Sequence, residues 1–170
     1  MQLNGPKPLL TYGANKYYFD LQREDGGQVY LQTRRFYSNG PFTGKFKEQL
    51  SMFLPEECDV IDSIRKIQTY CKKQVTRPEA APTDWKMSEA WKSLKDAVIF
   101  ADLSDSFQAF DTKRKPMPKE KLGKGYYTLY LHFPGVYLGE NGKKPLARLQ
   151  VKVCQAIFEP AEENSMCMIE

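Results

Sequence analysis

The sequence predicts a mainly β domain with an inserted helix, on three observations. Segments at both ends of the chain alternate apolar and polar residues with a period of two. Between them a single stretch, Glu56 to Val75, repeats apolar residues at helical spacing, and clusters of Gly, Pro and Asn punctuate the rest. With 170 residues there is material for one domain whose core needs no disulfide or metal staple.

Composition narrows the partners. Apolar residues at 41% and charged residues at 27% describe an ordinary globular chain, but aromatics at 13%, with 10 Tyr among them, are on the high side. Tyrosine is the ring best suited to a surface. Of the 21 carboxylates, four lie in Glu159–Glu170, a segment without Lys or Arg, so residues 1–158 carry 25 basic against 17 acidic side chains. A basic body with an acidic tail points to a polyanion partner and to a tail that competes for the same surface. The division expected is a folded domain over residues 1–160 and a short acidic flexible tail over 161–170. No apolar run is long enough to span a bilayer and no secretory leader is evident, so an intracellular protein without a membrane partner is expected. Cys58, Cys71, Cys154 and Cys167 lack the close pairing of a zinc site and read as small apolar residues.

Taken in order, residues 1–11 are expected as an ordered or loosely attached arm, because Pro6 and Pro8 oppose regular structure. Lys16 to Gln22 alternates, with Tyr17, Phe19 and Leu21 on one face and Tyr18, Asp20 and Gln22 on the other. Asp25-Gly26-Gly27 reads as a turn. Gln28 to Tyr37 then returns as the second strand of a hairpin, Val29 and Leu31 opposing Tyr30, Gln32 and Arg34. Ser38 to Lys47 is a glycine-bearing loop whose Phe42 and Phe46 read first as anchors for the following helix and second as a flap. The helix opens at Pro55-Glu56-Glu57, with proline in the first turn and acids at the positive end of the dipole. It buries Val60, Ile61, Ile64, Ile67, Cys71 and Val75, leaving Arg65, Lys66, Lys72 and Lys73 to solvent. After the proline-bearing linker Arg77 to Pro82, Asp84 to Lys95 reads as a short helix with Trp85 and Trp91 packing inward. Ala97 to Ala101 and Phe107 to Phe110 read as two short strands.

The closing third carries the candidate chemistry. Lys113, Arg114, Lys115, Lys119, Lys121 and Lys124 form the densest positive stretch in the chain, a phosphate-contacting loop leading into Tyr126. From there Tyr127, Leu129, Leu131 and Phe133 face a core, while Tyr126, Thr128, Tyr130 and His132 face outward. After a turn at Gly139-Glu140-Asn141-Gly142, Ala147, Leu149, Val151 and Val153 oppose Arg148, Gln150 and Lys152. The outward face thus mixes rings, cations and amides, which is what single-stranded nucleic acid demands: bases stack on rings and phosphates meet cations. Tyr18, Tyr30, Tyr126 and Tyr130 are the candidate stacking residues. Arg34, Arg148, Lys152 and the basic loop are the candidate phosphate contacts, with His132 and Gln150 hydrogen-bonding on the same face.

The order strand, strand, long helix, linker, short strands, basic loop, hairpin is the order that helix-interrupted OB barrels use. Leu122 to Pro160 resembles the final hairpin of replication single-stranded DNA-binding proteins (SSBs) of tailed phages and large eukaryotic DNA viruses. The resemblance lies in Gly123 and Gly125 after a lysine-rich loop, in Pro134 and Tyr137 at the bend, and in the spacing of Arg148, Gln150 and Lys152. FQAFDTKRKPMP, at Phe107 to Pro118, is similar to that family's preceding strand and basic turn. The resemblance implies a five-stranded Greek-key OB-fold barrel with one long and one short helix. It also implies a protein without catalysis or cofactor that coats single-stranded DNA, or RNA as the near alternative, at sites of replication in a host nucleus or cytoplasmic viral factory, with roles in recombination and repair. Replication proteins recruited through the acidic tail, and a homodimer, are further implied partners. The family's tail is long and closes on an aromatic residue, whereas this chain closes on Met168-Ile169-Glu170.

Two rival classes have their own residues. A magnesium nuclease would need Asp20, Asp102, Asp105 and Asp111 to converge, since hard cations require only carboxylates and water. The single histidine rules out a multi-histidine metal centre, and the sequence contains no phosphate loop of the GxxxxGK[ST] type. A virion or scaffold protein would use the aromatic face against another protein.

Overall fold

The computed structural model describes residues 1–8, 17–44, 47–53, 59–75, 86–88, 98–141 and 144–161. Its strands are β1 (Gln2–Pro8), β2 (Tyr17–Gln22), β3 (Tyr30–Gln32), β4 (Phe36–Ser38), β5 (Pro41–Thr43), β6 (Glu48–Phe53), β7 (Lys86–Ser88), β8 (Val98–Phe110), β9 (Pro116–Met117), β10 (Gly125–His132), β11 (Gly135–Asn141), β12 (Lys144–Leu149) and β13 (Lys152–Pro160). Helix α1 (Asp59–Val75) lies between β6 and β7, and a 3-10 turn covers Lys119–Lys121. One sheet has the order β1-β2-β11-β12-β7. The other runs β3-β10-β13-β8-β6-β5, with β4 also on β10 and β9 on β8.

The two sheets share a single long ribbon. β10 pairs antiparallel with β13 from Gly125↔Pro160 to His132↔Lys152, and β11 with β12 from Val136↔Leu149 to Asn141↔Lys144. The chain therefore runs up one arm through both sheets and back down the other. A bulge at Cys154, between the pairs Tyr130↔Gln155 and Leu131↔Val153, strengthens the local twist. At the corner, Gln150 N–H donates to the Gly135 carbonyl at 3.0 Å and Leu21 N–H to the Pro134 carbonyl at 3.0 Å. Gly135 is required there, because a Cβ would run into the backbone oxygen of Phe19.

This corrects the expected closing hairpin. Gly139 and Glu140, expected in the turn, are strand residues opposite Leu146 and Pro145. Gly125–His132 pairs along the whole of the last strand, Lys152–Pro160, and meets the expected partner run only at Lys152 and Val153. The faces nonetheless stand as alternation requires: Tyr127, Leu129, Leu131 and Phe133 are fully buried on one arm, and Ala147, Leu149, Val151 and Val153 are buried on the other. Each buried Leu, Val and Phe among them stabilises the fold by about 1.5–3 kcal/mol.

Around the larger sheet the strands wrap back on themselves. β8 lies parallel to β13 and antiparallel to β6, and β6 returns to β4, where the Ser38 hydroxyl donates to the Ser51 carbonyl at 2.7 Å. The composite strands β3/β4, β6, β8, β10 and β13 thus make an OB-like Greek-key arrangement, mainly β with one α-helix.

Four further expectations differ. The first concerns Gln28 to Tyr37, which does not form a hairpin with Lys16 to Gln22. Among the described residues the two segments pair only at the isolated bridge Gln22↔Gln28, β2 joining β11 while β3 and β4 join β10. Phe133 N–H donates to the Val29 carbonyl and Thr33 N–H to that of Leu129, so β10 captures the returning chain. The second concerns the N-terminus, where residues 2–8 form an edge strand on β2, not an arm. Edge position tolerates Pro6 and Pro8, and the register slips between Asn4 and Lys7, around Gly5 at φ +144°. Thirdly, Lys86–Ser88, expected as helix, is a strand parallel to β12. The remainder of that stretch, with Trp85 and Trp91, lies outside the described residues, as do Pro55–Cys58, Lys45, Phe46 and 162–170. Lastly, the two short strands expected near residue 100 are one, β8.

Helix α1 buries the six apolar residues that its periodicity selects, and Asp59 and Asp62 occupy its first turn. Cys71 is buried among them and its thiol is pushed up to about 12 by that burial, so it packs as an apolar side chain. None of the helices described is long and apolar enough to cross a membrane.

Candidate nucleic-acid interface

The outward face of the larger sheet is ordered in rows by strand register. Gln32, Tyr130, Gln155 and Gln108 stand side by side across β3, β10, β13 and β8, and Tyr30, His132, Lys152 and Asp102 form the next row. Further along β10, Tyr37 and Glu159 flank Tyr126. Cross-strand neighbours on one face stand close enough to touch, so the rows are contact sets.

Three rings form a pre-ordered pile. Tyr30 stacks on Tyr130 with centroids 5.1 Å apart and planes 12° off parallel, and His132 lies 5.0 Å from Tyr30 on a 30° tilt. Both tyrosines are exposed, at 46% and 39%. His132 Nε2 lies 2.9 Å from Gln28 Oε1. Burial, then the Lys152 ammonium, lowers the imidazole below its ordinary value of 6.5. The unfolded chain therefore takes up that proton first, so stability is full above pH 6.5 and is lost as pH falls through the lowered folded value. A His132→Gln variant is expected to show a flatter decline of melting temperature with acidification, measured by circular dichroism.

Around Tyr126 the sequence reading missed a residue. The Arg35 guanidinium lies 3.8 Å over the Tyr126 ring and bonds Glu159 at 3.0 Å through Nε, while Tyr37 packs edge-on at 5.8 Å. One face of Tyr126 is thus already occupied by a cation. Arg35 and Arg34 are adjacent in sequence, and strand alternation is broken between β3 and β4, so nothing local says which of them reaches the ring. Arg34 instead pairs with Asp59 at 2.6 Å, at the start of α1.

The basic loop is locked by Asp111, whose Oδ1 accepts from the backbone N–H groups of Lys113 and Lys115 at 2.8 and 2.9 Å. Arg114 adopts φ +62° in this turn and lines a groove with Gln32, Phe110, Thr128, Tyr130, Gln155 and Ile157. Lys113, Lys115, Lys121 and Lys124 are exposed. Lys119 bonds Glu48 at 2.7 Å.

Tyr18 on β2 and Arg148 on β12 lie in the smaller sheet, and Gln150 lies at the corner between β12 and β13. The Tyr18 hydroxyl donates to Gln150 Oε1 at 3.5 Å, and its phenol is pushed up to about 12 by burial and by the Asp20 carboxylate. Half-buried and bonded, Tyr18 ties β2 to the corner. Arg148 is exposed opposite Tyr137, and Gln150 and Lys152 occupy successive outward positions, so these residues continue the outward stripe of β13.

The four aspartates do not converge. Asp20 pairs with Lys7, Asp102 accepts from Gln49 at 2.8 Å, Asp111 caps its own turn, and no cluster suited to a metal occurs among the described residues.

No family model matches the sequence. No curated protein matches it either. Among solved structures the chain is similar to the single-stranded DNA-binding protein from bacteriophage Enc34 in complex with ssDNA, at 12% identity over 91% of this chain and 93% of that one, with TM-score 0.49. A C-terminal truncation of the Enc34 protein gives 14% identity over 93% and 95%, with TM-score 0.48. It is also similar to gp2.5, a single-stranded DNA-binding protein encoded by bacteriophage T7, at 10% identity over 77% and 91%, with TM-score 0.47. All three are single-stranded DNA-binding proteins of bacteriophages.

Proposed function

We propose that this chain is a non-catalytic single-stranded DNA-binding protein that coats exposed strands during viral or phage-like replication. The observation that carries the reading is the outward face of β3, β10 and β13, where a Tyr30–Tyr130 stack stands beside Lys152, Arg114 and the amides of Gln32 and Gln155. Bases stack on the rings, and Lys152, Arg114 and the exposed Lys113, Lys115, Lys121 and Lys124 meet phosphates. Arg148 and Gln150 extend the path past the corner. Under this reading the protein works inside the cell without a cofactor, and the acidic segment after Pro160 is offered to replication proteins.

The deciding experiment is a fluorescence-anisotropy titration of labelled oligo-dT against a duplex of equal length, at low and near-physiological salt with magnesium present. Tight, salt-sensitive preference for the intact single strand is expected. Cleavage would restore a nuclease, and binding to neither would assign the face to a protein partner. Replacing Lys113, Arg114 and Lys115 together with alanine is expected to lower the slope of log affinity against log salt by about two, from about 0.7 per single-strand phosphate contact. An unchanged slope would return that loop to solvent.

A further inference from the structure

We infer that the groove beside Tyr130 is a reading pocket for one nucleobase, in which the amides of Gln32 and Gln155 hydrogen-bond the base edge and give the protein a base preference. The inference rests on the single-strand reading above and adds a specificity that coating alone does not require. The groove has a volume of about 320 Å³, at the small end of ligand clefts. Its apolar wall is Phe110 and Ile157, and Arg114 also lines it.

Two features make this a place for a base rather than a general patch. The first is the ring pile. Tyr30 covers one face of Tyr130, while Tyr130 itself lines the groove, so a base entering there continues the sequence His132, Tyr30, Tyr130 as its next layer. Every base has a π-face, so this contact holds a base without identifying it. The second is the pair of amides. Gln32 and Gln155 are the register partners of Tyr130 on its two sides, one strand spacing away in each direction. An amide presents a donor and an acceptor together and so matches a base edge that offers the complementary pair.

The amides are also uncommitted. Gln28 bonds His132 and Gln49 bonds Asp102, whereas among the described residues Gln32 and Gln155 have no side-chain hydrogen bond. The wall of Phe110 and Ile157 beside them thins the water that would otherwise compete for a base edge. Arg114, held at φ +62° by the Asp111-locked turn, places a cation at the same groove for the phosphate.

The test is a competition titration of oligo-dT, oligo-dC and oligo-dA of one length against the full chain and a Gln32→Leu/Gln155→Leu variant. The wild-type chain is expected to favour one of the three by about fivefold or more, within the range of one bidentate amide contact. The double variant is expected to bind all three within about twofold of one another, because stacking remains and edge reading does not. Gln108→Leu, in the same row but outside the groove, is the control and is expected to keep the preference. Equal wild-type affinities, or a preference that survives the double variant, would overturn the pocket while leaving the single-strand reading intact. Failure of the wild-type chain to bind any of the three would overturn both.

Discussion

Replacing Tyr130 by alanine is expected to weaken oligo-dT binding by about 1–3 kcal/mol, roughly five- to more than a hundredfold in Kd, while leaving the melting temperature nearly unchanged. The ring is 39% exposed and its β10 neighbours Leu129 and Leu131 carry the packing, so little of the core depends on it. Two losses combine at this position. A base loses its platform, and Tyr30 loses the partner that holds it upright at 5.1 Å. Tyr30→Ala should therefore weaken binding on the same scale, and the double variant should lose less than the sum of the two, because residues in contact share their interaction energy. Tyr130→Phe should retain most of the affinity, since stacking uses the ring and not the hydroxyl. An unchanged Kd for Tyr130→Ala in a folded protein would remove stacking from the proposed mechanism.

The largest stability effect is expected at Gly135. Its missing side chain allows the ribbon to pass against Phe19 at the corner, and a Cβ would strike backbone rather than the end of a flexible side chain. Backbone there is pinned by the Gln150 and Leu21 hydrogen bonds and has nowhere to yield. Gly135→Ala is therefore expected to destabilise by about 3 kcal/mol, the upper range for overpacking. In urea this appears as a fall of the midpoint by about 1–3 M with an unchanged slope. A midpoint within error of the parent would mean that the corner bends more freely than its hydrogen bonds imply.

Strand alternation and helical periodicity make most of the core legible in the sequence. Tyr127, Leu129, Leu131 and Phe133 follow from period two, and Val60 to Val75 from period 3.6, because those patterns depend only on which side of an element faces water. Partner choice is not legible in this way. Lys16–Gln22 and Gln28–Tyr37 look like a hairpin because a turn separates two alternating runs, yet they enter different sheets, since β10 offers the second run hydrogen bonds from Leu129 and Phe133. The same limit hides Arg35. Its role depends on a ring and a carboxylate 91 and 124 positions away, and no local pattern separates it from Arg34. Tyr18 is a further case: its outward position is readable, but not the bond to Gln150, 132 positions on.

The ring pile has a consequence for the order in which the chain becomes competent. Tyr130 and His132 sit on a ribbon whose arms are neighbours in sequence, but Tyr30 and Gln32 join them across separations such as the 104 positions between Gln28 and His132. Pairings of that span form late, because the loop must close before the contacts repay it. Half of the proposed stacking surface is made early in synthesis and has nothing to stack against until β10 has emerged and found it. A nascent chain therefore has no finished groove, and the proposed strand binding would begin only once the closing ribbon has left the ribosome.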